Sequence, residues 1–325
     1  MSAKKVLAAF LFLSVFAMLQ LPCEAAIEIK LGHIWAPDHP LAQGAVKLAQ
    51  EMDKASNGQV KIQLFPASQL GSEVEQWEAV ATGLQHMTIG GSAFKWDSRF
   101  TLLDIPYAIK DLAHLRRLWA SAVGQDLTQS LIQKGNLRIL GTWYYGTRQL
   151  TTSKKAVRTP ADMKGFKLRI PDIEAHRVAW AAIGASPTPI AFSETYMALR
   201  TGTVDGQENP LASIGAMKFH EVQKYLVLTN HVTQALTIVI NEKAYQGLPA
   251  NIQQLLPKLV ADVTPYQEEL EYQAQQKWLK TFKDAGMEVI EPDVEAFRKA
   301  SAGVGAFFTE KYGWGDLWSR VQALR

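Results

Sequence analysis

An arginine near the end of a strand-like run is the residue of this sequence best suited to binding an anion. The stretch KGFKLRIPD, residues 164–172, alternates apolar and polar residues, which predicts a β-strand with Arg169 on the face opposite the apolar side chains. Arg169 then lies near the carboxyl end of the strand, where ligands bind in open α/β sheets. A guanidinium there can hold a carboxylate through two parallel hydrogen bonds. From this stretch alone, a solvated surface arginine is the simpler interpretation.

Three further residues lie at predicted element ends with side chains suited to contacting a small ligand. The segment GTWYYGTRQLTTS indicates a strand that ends in aromatic residues, turns at Gly146 and delivers Arg148. Phe192 precedes a predicted helix in AFSETYMAL, and Asn209 ends the short predicted strand VDGQENP. Each residue also has an ordinary explanation: a surface cation, a hydrophobic staple or a turn former before proline. Individually, none of them predicts a binding site.

Length and composition indicate a globular protein of two domains. The chain has 325 residues, of which 47% are hydrophobic and 20% charged. Its formal net charge of +3 combines both signs along the chain, so there is no electrostatic basis for binding nucleic acid.

The N-terminus has the layout of a secretory signal peptide, which we predict to be residues 1–26. Lys4 and Lys5 precede the apolar run VLAAFLFLSVFAML, and the small-residue stretch QLPCEAA follows. A membrane anchor is the alternative, but the run is shorter than the ~20 residues that a spanning helix requires. Cleavage removes Cys23, the only cysteine, so the mature chain has no thiol for a disulfide or for cysteine catalysis. We therefore expect a free exported protein.

The order of predicted elements favours an α/β fold. Strands such as IEIKLGHI and QVKIQLFP alternate with amphipathic helices, and a second series of this kind starts near residue 136. Residues 250–285 are helix-forming apart from Pro257 and Pro265. A single helix of this length would extend roughly 54 Å, enough to brace two lobes, whereas a break at Pro265 would give two consecutive helices.

Sequence motifs of common enzyme and cofactor sites are absent. The chain contains no HExxH, GxSxG, P-loop or GxGxxG motif, and its seven histidines include no pair with metal-ligand spacing beside carboxylates. We therefore predict no metal and no cofactor. A catalytic site assembled from distant residues leaves no local motif, so an enzyme remains an alternative at this point.

Five segments occur together in an order and spacing that resemble one protein family. They are GTRQLTTS, ADMKGFKLRIPD, GASPTPIAFSETYMAL, VDGQENPLA and KFHEVQKYLVLTNHV. With them the chain resembles, over nearly all of its mature length, the substrate-binding subunit of tripartite ATP-independent periplasmic (TRAP) transporters. The resemblance implies an α/β, two-lobe periplasmic solute-binding protein fold with a cleft between the lobes, hinge strands and a long helix that spans both.

The resemblance also implies a division of the chain, a location and partners. Lobe I is expected to comprise residues 27–145 plus 235–275, and lobe II residues 146–234 plus 276–325. The expected location is the periplasm. The expected partners are a small carboxylate ligand and the integral-membrane permease subunits, with no cofactor.

Four residues receive roles through the resemblance. Arg169 matches the arginine that forms a salt bridge with the substrate carboxylate, and Arg148 matches a second arginine of the cleft. Asn209 matches an amide that contacts the ligand, and Phe192 matches an aromatic wall residue.

The sequence departs from the sialic-acid-binding branch of that family. Those members carry a glutamate and an arginine where this chain has Gly91 and Phe94, and an asparagine where it has Asp172. The changes remove donors for sugar hydroxyls and add apolar surface. With His33 and Trp35 near the same cleft mouth, they predict a carboxylate ligand with an apolar or aromatic body.

Several alternatives remain open from the sequence. Trp35, Phe94 and the nearby Trp96 could be plain core residues. The ligand could be a sugar acid, or a C4-dicarboxylate whose second acid group Arg148 would hold. A periplasmic enzyme would need a base beside Arg169, for which only Asp172 and Glu208 are placed. A receptor that delivers its ligand to a sensor instead of a permease is the last alternative.

Overall fold

The computed structural model describes residues 26–325, so the predicted signal peptide, apart from Ala26, lies outside the described residues. One mixed sheet of ten strands organises this part of the chain. The strands are β1 (Ile27–Gly32), β2 (Val60–Phe65), β3 (Met87–Gly90), β4 (Leu137–Thr152), β5 (Lys167–Ile170), β6 (Ser186–Pro189), β7 (Gly206–Pro210), β8 (Tyr225–Val227), β9 (Thr233–Asn241) and β10 (Glu288–Ile290).

Twelve α-helices within residues 26–325 cover this sheet. They are α1 (Pro40–Ala55), α2 (Glu73–Thr82), α3 (Leu112–Ala120), α4 (Ala122–Gly135), α5 (Glu174–Ile183), α6 (Thr195–Arg200), α7 (Leu211–Ala216), α8 (Glu242–Gln246), α9 (Ala250–Asp284), α10 (Val294–Ala300), α11 (Val304–Tyr312) and α12 (Leu317–Gln322). The alternation of strands and helices confirms the predicted α/β class.

Strand β4 divides the sheet into two halves and belongs to both. Residues 137–147 of β4 pair antiparallel with β9, and the order outward from there is β9, β3, β1, β2, which we call the first half. Residues 148–152 pair with β7, followed by β5 and β6, while β8 and β10 extend the other side; this is the second half. Each half has buried apolar clusters of its own, so the halves are two lobes joined through the sheet.

The passage of β4 from one half to the other occurs at a glycine. We predicted a strand that ends before a turn at Gly146, but β4 continues through this residue with a register shift between Tyr144 and Gly146. Gly146 has φ 101°, a left-handed conformation that L side chains rarely adopt, and an added Cβ would lie 2.8 Å from Glu271 Oε1. The prediction of a turn was wrong because a β-bulge absorbs the change of direction without ending the strand.

Helix α9 is a single 35-residue helix that includes both Pro257 and Pro265, so the prediction of one long helix is confirmed. It packs on α1 and β4 of the first half and on α7, which follows β7 of the second half. Gln267 of α9 also donates a hydrogen bond to the backbone oxygen of Tyr144 at 2.8 Å. The helix therefore braces both lobes along the strand that connects them.

The C-terminal helices pack across the predicted lobe division. Val304, Phe308 and Leu317 share an apolar cluster with Leu118 and Leu127 of the first half. The same cluster includes Ala175 and Ala179 of α5, which belongs to the second half. Residues 304–321 therefore contact both lobes, and the boundary predicted at residue 276 remains a prediction.

None of the helices within residues 26–325 combines the length and the apolar composition needed to cross a bilayer.

Gly146→Ala is expected to lower the free energy of unfolding by about 2–4 kcal/mol, because the new side chain adds a steric clash to left-handed strain. Gly165→Ala is the matched control. Gly165 has φ +71°, and a Cβ added there would meet no atom within 4 Å, so strain alone should cost about 1–2 kcal/mol. Urea unfolding followed by tryptophan fluorescence measures both, and equal losses would contradict the steric role of Gly146.

Glu271 of α9 is expected to make stability decrease as pH rises. Burial raises the pKa of Glu271 from 4.5 to about 8, and its Oε2 accepts no hydrogen bond from residues 26–325. Between these two values the folded protein holds a proton that the unfolded chain releases, so the free energy of unfolding falls by about 1.4 kcal/mol per pH unit. Glu271→Gln should flatten this slope. The control Glu269→Gln, at an exposed position of the same helix, should not; an unchanged slope in Glu271→Gln would contradict the prediction.

Candidate functional site

A cavity of about 490 Å³ lies between the two halves of the sheet. Its walls come from the loops after β1, β3, β5 and β6, from the start of α2, and from β4, β7 and β9. The parallel strands β1, β3, β5 and β6 direct their carboxyl ends to it, which is where open α/β sheets bind ligands.

The cavity brings together seven of the nine predicted site residues. They are Arg169, Arg148, Asn209, Phe192, Trp35, Gly91 and Asp172. His33 and Phe94 are not among its lining residues.

Arg169 is a buried cation in the cavity wall. Its strand β5 has the predicted alternation, with Leu168 and Ile170 in an apolar cluster, and Arg169 is only 2% exposed. Nε and Nη2 both donate to the backbone oxygen of Ile190, at 2.9 Å and 2.6 Å. Among residues 26–325 Arg169 forms no ion pair, and burial lowers its pKa to about 10. The site thus contains a charged guanidinium that forms no salt bridge with a carboxylate of the described chain.

Arg148, in contrast, has a partner. Its Nη2 donates to Glu208 Oε1 at 2.9 Å, its Nε donates to the other oxygen of the same carboxylate, and both side chains are buried. Burial opposes ionisation of Glu208, but the adjacent Arg148 and His176 hold the pKa of the carboxyl well below its usual range. The charge of Arg148 is therefore compensated within the protein.

The Glu208 carboxylate is the centre of a polar network that joins the two halves. Its oxygens lie 2.8 Å from His231 Nε2 and 3.2 Å from His176 Nδ1. On the other side Arg148 Nη1 donates to Gln234 Oε1 at 3.1 Å, and the Gln234 amide donates to Asp104. Arg148 is thereby fixed from several directions.

Asn209 is also held by its neighbours. Its Nδ2 donates to Gln207 Oε1 at 2.6 Å, and its Oδ1 accepts from the Tyr145 hydroxyl at 3.2 Å. Ser213 donates to the same hydroxyl at 2.9 Å. Asn209 lies on β7 beside Gln149 of β4, which confirms the predicted strand, and it faces the cavity in a fixed orientation.

Two aromatic side chains supply apolar wall. Trp35 packs edge-on against Tyr145 with ring centres 5.8 Å apart, and its indole Nε1 is buried without a hydrogen-bond partner in residues 26–325. Phe192 packs against Phe219 at 6.2 Å and lies 6.0 Å from the Arg169 guanidinium carbon. Leu236 adds aliphatic surface.

The other aromatic candidates lie away from the cavity. His33 is buried behind Trp35, and burial lowers its pKa to about 4. Phe94 packs into the apolar cluster that also contains Trp77, and Trp96 stacks on Trp77 at 5.8 Å. These positions follow from the short helical turns after β3, which direct Phe94 and Trp96 inward under α2.

Glu73 is a cavity residue that the sequence analysis missed. It is the first residue of α2, just after the N-cap Ser72, whose side chain and that of Glu75 form a capping box. Glutamates in a first helical turn ordinarily indicate capping and the helix dipole, so the sequence gives no separate signal for Glu73. Asp172 and Gly91, which were predicted, line the same cavity.

Comparison with known proteins decides the family. The model of bacterial extracellular solute-binding proteins, family 7, matches residues 31–311. The chain belongs to this family.

Its relatives are substrate-binding subunits of TRAP transporters. The chain is 36% identical over 91% of its length to the sialic acid-binding periplasmic protein of Vibrio cholerae, of which 91% is covered. It is 34% identical to the C4-dicarboxylate-binding periplasmic protein of Rhodobacter capsulatus, with 80% of this chain and 78% of the relative covered. A TRAP periplasmic solute-binding protein of Roseobacter denitrificans with bound L-galactonate is 31% identical, with a TM-score of 0.86, over 92% of this chain and 98% of that one.

These findings confirm the predicted family and the two-lobe fold. The family consists of solute-binding transport proteins, and the Roseobacter denitrificans protein of the same fold has an organic acid bound. The cavity described above is therefore the candidate ligand site of the chain.

Arg148→Ala is expected to lower the free energy of unfolding by about 3–5 kcal/mol, because it leaves the buried Glu208 carboxylate without its cation. Arg138→Ala is the control: Arg138 pairs with Glu242 at 2.6 Å, but its side chain is 28% exposed, so the loss should be about 1 kcal/mol. Chemical denaturation compares the two. A small loss in Arg148→Ala would contradict a structural role for the ion pair with Glu208.

Proposed function

We propose that the mature chain is exported, binds one small organic monocarboxylate between its lobes and delivers it to the membrane subunits of a TRAP transporter. The observation that carries this proposal is the unbalanced guanidinium of Arg169 in the cavity wall. A ligand carboxylate would supply the missing anion, and water exclusion by the two lobes would strengthen the contact.

The charges around the cavity favour a ligand with one carboxylate. The charge of Arg148, the second cationic side chain in the lining, is already compensated by Glu208. Glu73, Glu75 and Asp172 add acidic groups to the same lining. A C4-dicarboxylate would therefore bring its second negative charge into a site with no uncompensated cation left for it among the described residues.

The cavity lining offers both apolar and polar contacts to the part of the ligand beyond its carboxylate. Trp35, Phe192 and Leu236 offer apolar contact, whereas Tyr145 and Asn209 offer polar contact. Phe94 and Trp96 pack against the apolar cluster that contains Trp77 and do not line the cavity. The apolar surface of the cavity is therefore smaller than the sequence predicted. Together with a relative that holds L-galactonate, this favours a hydroxylated acid over a purely aromatic one.

A binding role fits the site better than catalysis. Glu208, one of the two candidate bases, is held in its ionised form by Arg148 and accepts further hydrogen bonds from histidines. Its lone pairs are occupied, so it has no free position from which to accept a substrate proton.

A thermal-shift screen of residues 27–325 tests the ligand class directly. Sugar acids, aromatic 2-oxo and amino acids, and C4-dicarboxylates form the three sets. A ligand at a hundred times its Kd should add about 2.7 kcal/mol of stability and raise Tm by several degrees. A shift confined to C4-dicarboxylates would contradict the monocarboxylate proposal, and no shift with any acid would contradict the carboxylate site itself.

Arg169→Ala should weaken binding of whichever acid the screen identifies by about 10²- to 10⁴-fold, since two charge-assisted hydrogen bonds are lost. Calorimetry measures the affinity, and circular dichroism checks the fold. Arg177→Ala, which removes a half-exposed arginine paired with Glu174, is the control and should bind like the wild type. Affinity retained in Arg169→Ala would contradict the assignment.

A further inference from the structure

The Glu73 carboxylate contributes an acceptor to the cavity from the lobe that does not hold Arg169. Helix α2 packs on β3 and β9 of the first half, whereas Arg169 lies on β5 of the second half. Glu73 Oε1 accepts the Gly91 backbone N–H at 2.8 Å and the Ser92 hydroxyl at 2.9 Å. Oε2 accepts no hydrogen bond from residues 26–325, and the residue lines the cavity. One oxygen is thus fixed and the other is available to a ligand.

Glu73 and Arg169 bring opposite charges to the cavity from different lobes. Burial raises the pKa of Glu73, while the N–H of Gly91 and the hydroxyl of Ser92 oppose that rise. Burial lowers the pKa of Arg169, and the negative charges of Glu208 and, more weakly, Glu73 partly offset the shift. The cavity therefore has a cation on one lobe and a carboxylate on the other.

The neighbouring carboxylates do not duplicate this arrangement. Glu75 Oε2 is engaged by the backbone N–H and hydroxyl of Ser72 at 2.7 Å and 2.8 Å. Glu75 is exposed, so water can satisfy its other oxygen whether or not a ligand is bound. Glu208 is engaged by Arg148 and His231. Asp172 follows β5, on the same lobe as Arg169.

We propose that Glu73 is a specificity-determining residue that selects carboxylates carrying a hydroxyl or ammonium donor. The ligand carboxylate contacts Arg169 on one lobe, and its donor contacts Glu73 Oε2 on the other. A carboxylate without a donor displaces water from this half-buried acceptor without replacing the hydrogen bond, which penalises its binding. The inference rests on the proposed function, because it takes Arg169 as the anchor of the ligand.

Matched pairs of acids, which share a carbon skeleton and differ in their hydroxyl groups, separate the effect of a hydrogen-bond donor from that of the carbon skeleton. The probes are D-gluconate with hexanoate, and 3-phenyllactate with 3-phenylpropanoate, measured by calorimetry on residues 27–325. In the wild type the hydroxylated member of a pair that binds should bind about 10- to 100-fold tighter. In Glu73→Gln, which keeps an acceptor for Gly91 and Ser92 but replaces Oε2 with a donor, this preference should fall to less than about threefold. Glu78→Gln, at an exposed position of the same helix, should keep the preference.

A second variant guards against a folding defect. Glu73→Asp keeps the charge but withdraws it by one methylene, so it should reduce the preference while the melting temperature stays near that of the wild type. A full preference in both Glu73 variants, or equal affinity of the wild type for both members of a pair that binds, would overturn the inference. These outcomes differ from failure of the proposed function, in which acids bind equally well to the wild type and Arg169→Ala.

Discussion

A guanidinium that is buried without a balancing carboxylate is the constraint on which the rest of the site depends. Taking an ion out of water costs several kcal/mol unless it is paired. Here the only hydrogen-bond acceptor that Arg169 contacts in the described chain is one backbone oxygen, that of Ile190, and the guanidinium lines a cavity in which an anion can lie. The apolar clusters of the second half, one of which includes Leu168 and Ile170 of β5, contribute stability that offsets this cost. Under the proposed function, a ligand carboxylate would supply the ion pair that the folded chain does not provide for Arg169.

The contrast with Arg148 explains how one cavity can contain two arginines without attracting two anions. Strand β4 places Arg148 two residues after the bulge at Gly146, directly opposite Pro210 of β7. Glu208 lies two residues before Pro210, so it is the diagonal neighbour of Arg148 across the two strands. The resulting network reaches Gln234 and Asp104 in the first half. This network fixes the junction of the lobes, whereas Arg169 has no carboxylate partner in the described chain and is the residue proposed to bind the ligand. The two arginines differ in their surroundings because they lie on different strands: Arg148 on β4 forms an ion pair with Glu208 of the strand opposite, whereas Arg169 on β5 has no such partner in the described chain.

Local patterns predicted those parts of the structure that local physics determines. The strand around Arg169 follows from the alternation of its side chains, and the helix from residue 250 follows from a helix-forming composition. The short strand predicted around Asn209 is present as β7, which extends one residue further, to Pro210. Two prolines did not break that helix, because its packing on both lobes outweighs the lost hydrogen bonds.

Long-range packing determines what the sequence could not show. Whether Phe94 faces the cavity or the core depends on the turns after β3 and on where Trp77 lies, and neither is encoded in the spacing of nearby residues. The pairing of Arg148 with Glu208 joins residues 60 positions apart. Glu73 was hidden by its own neighbours, because the capping box around it accounts for glutamates at that helix start.

The separation of the anchor from the opposite wall has an evolutionary consequence. Arg169, Phe192 and Asn209 come from one continuous stretch of chain, residues 169–209, whereas Trp35, Glu73 and Gly91 come from another, residues 35–91. If Arg169 binds the ligand carboxylate as proposed, substitutions in the earlier stretch can change which part of a ligand is recognised without disturbing that cation. A chain built this way can change its ligand through substitutions in one segment, or through exchange of that segment between genes, while the arginine proposed to bind the carboxylate is inherited unchanged.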